Sequence, residues 1–158
     1  LIICSGSNYN AFTHKADPDS WAKLVNTNLV GAFNVVRGFL PVMREKNFGR
    51  IVFISSIVPQ MGVVGTSAYA ASKSWLWGWS KAISKENAGK GISCNCIKSG
   101  YIDARMTYDI PEELLDNIKK SIPFKRFGTV EEFYNTVNYL FETPYITGTT
   151  VDINGGLF

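Results

Sequence analysis

Histidine, cysteine and long apolar runs are all scarce in this sequence of 158 residues. A single histidine, His14, leaves few ligands for a metal centre, so we predict no metal site. Three cysteines are an odd number, which argues against a framework of disulfide bonds. The apolar runs fall far short of the roughly 18 residues that span a membrane, and residues 1–4 lack the features of a signal peptide. We therefore predict no membrane association.

A strong charge of either sign is also lacking. The 16 basic and 13 acidic residues give a net charge of +3, too small an excess to indicate a nucleic-acid partner. Hydrophobic residues make up 46% of the chain, which is typical of a folded domain. Cys94 and Cys96 lie two apart in an apolar segment, so they share one face of a predicted strand and are interpreted as buried thiols. Reduced cysteines favour a cytoplasmic protein.

Strands alternate with helices along the whole chain, which we treat as one partial domain over residues 1–158. This alternation predicts an α/β fold with a parallel sheet covered by helices on both faces. The segment between Asp17 as N-cap and Lys46 is predicted as one helix, loosened near its end by Pro41. Predicted strands span 1–5, 50–56, 92–97 and 149–153, and the other predicted helices span 68–88 (capped by Ser67), 111–120 and 130–142 (opened by the capping box Thr129–Glu132), with a loop over 57–66.

Two of the predicted helices carry more apolar residues than one buried stripe needs. The first is apolar nearly all round, and the second contains Trp75, Trp77 and Trp79, which point in different directions because alternate residues lie about 200° apart on a helix. A second apolar face favours burial against another subunit. The alternative is that one or two rings are simply exposed to solvent.

Three side chains carry the clearest chemical signal in the sequence. Tyr69 and Lys73 are four residues apart and share a helix face. Ser56 ends a predicted strand, at the carboxyl edge where parallel sheets bind ligands. A nearby ammonium lowers the pKa of a phenol, which can then exchange a proton with a carbonyl oxygen while a hydride moves at carbon. The tyrosine–lysine spacing alone is weak evidence, since it is common on surface helices.

The chain resembles the short-chain dehydrogenases/reductases, and within them the 3-oxoacyl-(acyl-carrier-protein) reductase type. The resemblance implies the C-terminal part of a Rossmann-like, doubly wound parallel sheet in a three-layer α/β/α arrangement. It also implies an oxidoreductase that interconverts a ketone and an alcohol with NADP or NAD, commonly as a homotetramer or homodimer. The segments that carry it are Asn26–Leu29, Gly49–Ser56, Tyr69–Lys73, Gly91–Asn95, Ser99–Ile102, Met106–Thr107, Tyr145–Gly148 and Val151–Gly156.

The resemblance also assigns roles to individual residues. Tyr69 would be the acid/base, Lys73 would lower the pKa of Tyr69 and bind the nicotinamide ribose, and Ser56 would orient the substrate carbonyl. Asn28, otherwise a polar residue inside a helix, would hold a water that links Lys73 to solvent. The cofactor-binding residues would be Tyr69 and Lys73 together with Gly6, Gly100 and Ile102. The segment 103–125 would be a mobile substrate loop.

Four departures from the family pattern surround the expected cofactor site. The glycine-rich phosphate turn TGxxxGxG is absent, and the chain begins with leucine inside a predicted strand, so we expect a longer protein with roughly 60–90 further residues. Cys4 stands where the family has an asparagine, Ser99 where it has a proline, and Ala104 where it has a threonine, although Thr107 lies close by. These changes motivate a second hypothesis, a non-catalytic member or truncated fragment that acts as a binding or oligomerisation subunit.

The substrate class stays open between a 3-oxoacyl thioester and a small ketone or sugar. Basic residues on and beside the expected substrate loop could contact an acyl carrier protein, or could form an ordinary solvated surface. An epimerase or dehydratase of the extended branch is a third hypothesis. It is disfavoured because the chain closes on a final strand at Asn154–Gly156 without a further substrate domain. The basic residues are Lys90, Lys119, Lys120, Lys125 and Arg126.

Overall fold

A computed structural model describes residues 1–104, 107 and 111–157 of the chain. In this part of the chain, four strands form one parallel sheet in the order β1-β2-β3-β4. The strands are β1 (Ile2–Ile3), β2 (Gly49–Ser56), β3 (Ile92–Ser99) and β4 (Thr150–Ile153). The α-helices are α1 (Pro18–Val25), α2 (Gly31–Glu45), α3 (Val58–Met61), α4 (Ser67–Asn87), α5 (Glu112–Ser121) and α6 (Val130–Glu142).

Helices cover both faces of the sheet, which confirms the predicted three-layer α/β/α arrangement. On one face, Phe53 and Cys96 pack with residues of α2 and α4 such as Val36 and Leu76. On the other face, Val52 and Ile97 pack with Val137 and Leu140 of α6. Burial on both sides explains the continuous apolar run Ile51–Ile54 in β2. In β3 the residues from Ile92 to Lys98 are all buried, although Ser93, Asn95 and Lys98 are polar.

The predicted long helix over 18–46 contains a turn of π-helix at Asn26–Val30, between α1 and α2. The sequence pattern predicted uninterrupted α-helix, and this detail was wrong. A π turn inserts one extra residue into the hydrogen-bond ladder, and such turns are frequent at functional sites. Asn28 lies at the centre of this turn and is buried. Pro41 lies within α2, which continues to Glu45.

Two of the predicted helix starts are confirmed and one is wrong. The carboxylate of Asp17 accepts a hydrogen bond from the backbone N–H of Ser20, and Thr129 forms the capping box that opens α6. Ser67 is instead the first residue of α4, where its hydroxyl accepts a hydrogen bond from Thr13. The predicted loop over 57–66 contains the short helix α3, because Pro59 suits the first turn of a helix.

The three tryptophans of α4 diverge as predicted. Trp77 and Trp79 both pack toward the sheet, whereas Trp75 is exposed and stacks on Trp79 with ring centroids 4.4 Å apart. A second apolar face is present, since large apolar side chains of the π turn and α2 are exposed. They are Val30, Phe33, Val35, Phe39 and Val42. No helix within the described residues combines the length and apolar character needed to span a membrane.

Candidate active site

The carboxyl edge of the sheet brings Ser56 and Tyr69 together. Ser56 is the last residue of β2, and Tyr69 lies in the first turn of α4. The Ser56 hydroxyl lies close enough to the Tyr69 phenol to act on its pKa. The backbone N–H of Val58, at the start of α3, donates to the Ser56 hydroxyl over 3.1 Å and orients it. The helix that the sequence did not predict therefore fixes the position of a predicted site residue.

The phenol of Tyr69 has a pKa above its ordinary value. Burial raises this pKa, because a phenolate loses solvation in the protein, and the hydrogen bond from Ser56 acts in the lowering direction without reversing the effect. The expected low pKa caused by Lys73 is therefore wrong for the structure as it stands. The physical reason is that the loss of solvation raises the pKa of Tyr69 by more than nearby polar groups lower it. A raised pKa keeps Tyr69 protonated at neutral pH, the form that donates a proton.

Lys73 lies beneath Tyr69 on the same face of α4. Its ammonium nitrogen is 5.8 Å from the centroid of the Tyr69 ring and donates a hydrogen bond of 3.0 Å to the carbonyl of Ile54. The side chain is buried, and burial lowers the pKa of Lys73, while the thiols of Cys96 and Cys4 oppose that effect. The ammonium is thus held at the edge of β2 by backbone, within reach of the phenol.

Asn28 connects the π turn to α4 and to the segment after β1. Its side-chain nitrogen donates to the Ser72 hydroxyl over 2.9 Å and to the carbonyl of Ser7 over 3.0 Å. Its side-chain oxygen accepts from the backbone N–H of Ser7 over 2.8 Å. The amide therefore makes three hydrogen bonds while only 4% exposed. The hydrogen bond from Asn28 therefore fixes the side chain of Ser72, which lies between Tyr69 and Lys73 in the sequence.

A side chain at Gly6 would crowd two polar groups. A Cβ atom at this position would lie 3.2 Å from the Lys73 ammonium and 3.4 Å from the side-chain oxygen of Asn28. Gly6, Asn28 and Lys73 therefore lie together at the sheet edge.

Gly100 and Ile102 form the other side, after β3. The N–H of Gly100 donates to the carbonyl of Ile153 over 2.8 Å, and a Cβ at residue 100 would lie 2.8 Å from the Cα of Asn154. Ile102 forms a parallel bridge with Gly128. The two hydrogen bonds of this bridge join Gly128 to the residues directly before and after Ile102. In such a bridge Ile102 directs its own N–H and C=O to the opposite side, available to a ligand or to the following turn.

Thr107 stabilises the turn that follows Ile102. Its hydroxyl donates to the carbonyls of Ala104 (2.6 Å) and Ile102 (3.2 Å) and accepts from the N–H of Ala104 (3.2 Å). The side chain is 5% exposed. The hydroxyl of Thr107 is therefore engaged by the backbone of the turn that contains Ala104. Of the predicted substrate loop over 103–125, residues 105, 106 and 108–110 lie outside the described residues, as does Met106 of the family motif.

The donor set at this edge fits the nicotinamide end of NAD or NADP. It offers an ammonium at Lys73 and a phenol at Tyr69 on the side of Gly6, and a backbone amide at Ile102 on the other side. Ribose hydroxyls and a carboxamide are the ligand groups that such donors and acceptors bind. In the described ranges, no group of three or more histidine, cysteine or acidic side chains is placed to hold a metal ion.

Sequence reasoning missed several polar residues behind this edge. The Ser55 hydroxyl donates to the carbonyl of Lys73, and the indole N–H of Trp77 donates to Ser55, each over 2.8 Å. Lys98 is buried in β3 and forms an ion pair of 2.9 Å with Asp152 of β4. A lysine that directly follows the run Cys94–Ile97 was the available signal, since buried lysines are rare unless they are paired.

Comparisons with known proteins agree with the sequence motifs. Residues 4–158 match the family model described as enoyl-(acyl carrier protein) reductase. The acetoacetyl-CoA reductase of Shinella zoogloeoides is 42% identical over 161 residues, covering 100% of this chain and 67% of that protein. The acetoacetyl-CoA reductase of Rhizobium meliloti is 39% identical, with the same coverage. The 3-oxoacyl-[acyl-carrier-protein] reductase of Staphylococcus epidermidis is 36% identical over 160 residues, covering 100% of this chain and 66% of that protein.

The chain thus spans about two thirds of the length of these relatives. The matched region includes Ser56, Tyr69 and Lys73, which the fold brings to one sheet edge. Together with the parallel α/β architecture, these matches place the chain in the short-chain dehydrogenase/reductase family of oxidoreductases, whose cofactor is NADP or NAD.

Proposed function

We propose that this protein interconverts a ketone and an alcohol by hydride transfer, with Tyr69 as the acid/base and a 3-oxoacyl thioester as the ketone. The observation that carries the proposal is the meeting of Ser56, at the end of β2, with Tyr69 and the buried Lys73 ammonium, which is 5.8 Å from the centroid of the Tyr69 ring. This arrangement presents two hydroxyl groups to one point in front of the sheet edge, where a carbonyl oxygen can accept from both.

In the reduction, the chemistry that bound NADPH or NADH supplies is a hydride for the carbonyl carbon. Tyr69 transfers its phenolic proton to the carbonyl oxygen, and the C=O double bond becomes a C–OH group. Ser56 donates a hydrogen bond to the same oxygen and stabilises the charge that develops on it. The burial that raises the pKa of Tyr69 keeps the proton in place until the substrate takes it.

Lys73 and Asn28 support this proton transfer. The Lys73 ammonium favours the phenolate that remains after the proton has left, because opposite charges attract strongly in a buried site. Asn28 is hydrogen bonded to Ser72 and Ser7, and its side chain lies beside Gly6. A water held there by Asn28 would return a proton through Lys73 to Tyr69. Gly100 and Ile102 would bind the nicotinamide end of the cofactor through backbone atoms.

The thioester substrate is supported by the relatives. Their names refer to acetoacetyl-CoA and to a 3-oxoacyl group on an acyl carrier protein. Both are 3-oxoacyl thioesters, and they differ in the carrier. The exposed Lys120 and Lys125 are available to an acidic carrier, whereas Arg126 is neutralised by an ion pair of 2.6 Å with Glu132. We include an acyl carrier protein as a partner on this basis, with a solvated basic surface as the alternative.

The test follows the hydride into the product. The purified protein is incubated with acetoacetyl-CoA and with NADH or NADPH that carries deuterium at the transferable position. The proposal predicts a hydroxyacyl product with one deuterium on the carbon that bears the hydroxyl, detected by mass spectrometry. A small ketone in place of the thioester tests the substrate class. Absence of any labelled alcohol with every ketone and both cofactors would contradict the proposal.

A non-catalytic role as a binding or oligomerisation subunit is the second candidate. It is favoured by the exposed apolar face of α2, which includes Phe33 and Phe39, and by the changes at Cys4, Ser99 and Ala104. Under this hypothesis the chain binds no dinucleotide in a calorimetric titration. Under the first hypothesis it binds, and the same apolar face would join copies of the chain into a homodimer or homotetramer.

A cytoplasmic location completes the proposal. Cys4, Cys94 and Cys96 are free thiols, and two of them are fully buried, as expected for a protein in a reducing compartment. Burial raises the pKa of Cys96 to about 12, so its thiol stays protonated and unreactive. The Cys94 thiol has its pKa raised by the same cause.

A further inference from the structure

A row of polar side chains crosses three strands directly behind the site. Ser55 of β2 is the register partner of Lys98 of β3, which in turn is the register partner of Asp152 of β4. Lys98 and Asp152 form an ion pair of 2.9 Å. Ser55 and Lys98 are buried, at 3% and 7% exposure. This row lies one residue before the strand ends that form the site.

Trp77 lies over this row and contacts it in two ways. Its indole N–H donates to the hydroxyl of Ser55 over 2.8 Å. The Lys98 ammonium is 5.5 Å from the centroid of its ring, a distance typical of a cation–π contact. Trp77 is one helical turn beyond Lys73, so both side chains face the sheet from the same side of α4.

The hydroxyl of Ser55 carries the connection to the catalytic residues. It accepts from Trp77 and donates to the backbone carbonyl of Lys73 over 2.8 Å, so both of its hydrogen-bonding functions point to α4. Ser55 precedes Ser56 in the chain. The hydrogen bonds of Ser55 therefore fix the position of α4 along β2. Ser55 is the immediate neighbour of Ser56, the serine on which the position of Tyr69 depends.

We propose that Trp77 is a positioning residue, which locks α4 onto β2 through Ser55 and so holds Tyr69 close to Ser56. The Lys98 ammonium, which is paired with Asp152, holds the indole by its contact with the ring. Trp77 touches neither substrate nor cofactor in this account. The proposal deepens the proposed function and rests on it for its effect on turnover, but its effect on Tyr69 exists without turnover.

The test measures the pKa of Tyr69 itself. Tyrosine labelled with ¹³C at the ring carbon that bears the hydroxyl is incorporated, the Tyr69 signal is assigned with Tyr69→Phe, and each variant is titrated by NMR. The titratable groups around the Tyr69–Lys73 pair are Cys4, Cys96 and Lys98, and each variant leaves them in place. Trp77→Phe removes the indole N–H and keeps an aromatic ring. The matched control is Trp79→Phe, which removes an indole that stacks on Trp75 and Phe53.

The proposal predicts that Trp77→Phe weakens the Ser56–Tyr69 contact and lowers the ionisation constant of Tyr69 by about 3- to 10-fold. Trp79→Phe leaves this constant unchanged, even where it lowers the melting temperature. Ser55→Ala reproduces the Trp77→Phe shift, Ser55→Thr restores the wild-type value, and this pair replaces Trp77→Phe if that variant fails to fold. Equal Tyr69 titrations in Trp77→Phe, Ser55→Ala and wild type would overturn the proposal. A shift without turnover on any ketone would support it and contradict the proposed function instead.

Discussion

The two sides of the candidate site are built differently. On the catalytic side, Tyr69, Lys73 and Asn28 are held by bonds from separate elements: β2, α4, the π turn and the segment after β1. On the cofactor side, Ile102 is held by the bridge to Gly128 and by the turn that Thr107 stabilises. The residues with assigned catalytic roles keep the family pattern, whereas Ser99 and Ala104 on the cofactor side, and Cys4 near the Lys73 ammonium, depart from it. The difference teaches that the catalytic side chains are fixed by contacts between distant segments, while the cofactor side is fixed by contacts around the turn that follows β3.

Lys73→Met tests the catalytic side with the largest effect expected. Methionine keeps most of the volume and loses the ammonium that favours the Tyr69 phenolate. We expect kcat for ketone reduction to fall by about 100- to 10,000-fold, the range of a general acid/base contribution. Steady-state kinetics with NADPH and acetoacetyl-CoA measures it. Lys81→Met, at an exposed position of the same helix, is the control and should change kcat less than twofold (about 0.4 kcal/mol). Equal activities of the two variants would contradict the role of Lys73.

Asn28→Leu tests how strongly the catalytic side depends on the π turn. The change leaves the backbone groups of Ser7 and the Ser72 hydroxyl without the partner they have now. We expect the free energy of unfolding to fall by about 2–4 kcal/mol, measured by urea denaturation. Asn34→Leu, at an exposed position of α2, is the matched control and should stay within about 0.5 kcal/mol of wild type. A similar loss in both variants would show that the π turn carries no special constraint.

The proximity of Tyr69 and Lys73 could be predicted from the sequence because its geometry is local. A spacing of four on a helix places Tyr69 and Lys73 on one face, and Ser56 ends a strand that the apolar run defines. The pKa of Tyr69 was predicted with the wrong direction, because its burial depends on how α4 packs on the sheet. The π turn could not be predicted from the sequence, because the one residue that it inserts leaves the apolar pattern almost unchanged. The Ser55–Trp77 bond joins residues 22 apart in the chain, and no local pattern indicates it.

Thr107→Val tests the turn on the cofactor side. Valine keeps the shape of threonine and removes the hydroxyl that bonds to Ala104 and Ile102. We expect the KM for the dinucleotide to rise by about 3- to 10-fold, as for the loss of about one hydrogen bond, with kcat changed less. Thr136→Val, which removes a hydroxyl bonded within α6, is the control. A fall in kcat alone would place Thr107 with the catalytic residues and remove the contrast between the two sides.

Arg126→Met tests a charged pair outside both sides, and its effect is the smallest. Hydrogen bonds from Arg126 and from the Thr129 backbone lower the pKa of Glu132 to about 2. A lowered carboxyl pKa contributes stability above the unfolded value of about 4.3, and this is lost as the pH falls toward 2. In Arg126→Met we expect the Glu132 pKa to rise part of the way to its ordinary value, measured by NMR, with turnover at neutral pH unchanged. Altered turnover would link this pair to the site.

Replacement of Tyr69 by phenylalanine tests the central claim most directly. The measurement is the rate of NADPH and NADH oxidation with acetoacetyl-CoA by wild type and Tyr69→Phe, together with the affinity of each for the dinucleotide by calorimetry. The account predicts that Tyr69→Phe binds the dinucleotide and loses ketone reduction by about 100- to 10,000-fold, because the proton donor to the carbonyl oxygen is gone. A wild-type protein that reduces the ketone, and a Tyr69→Phe variant that reduces it equally fast, would contradict the account.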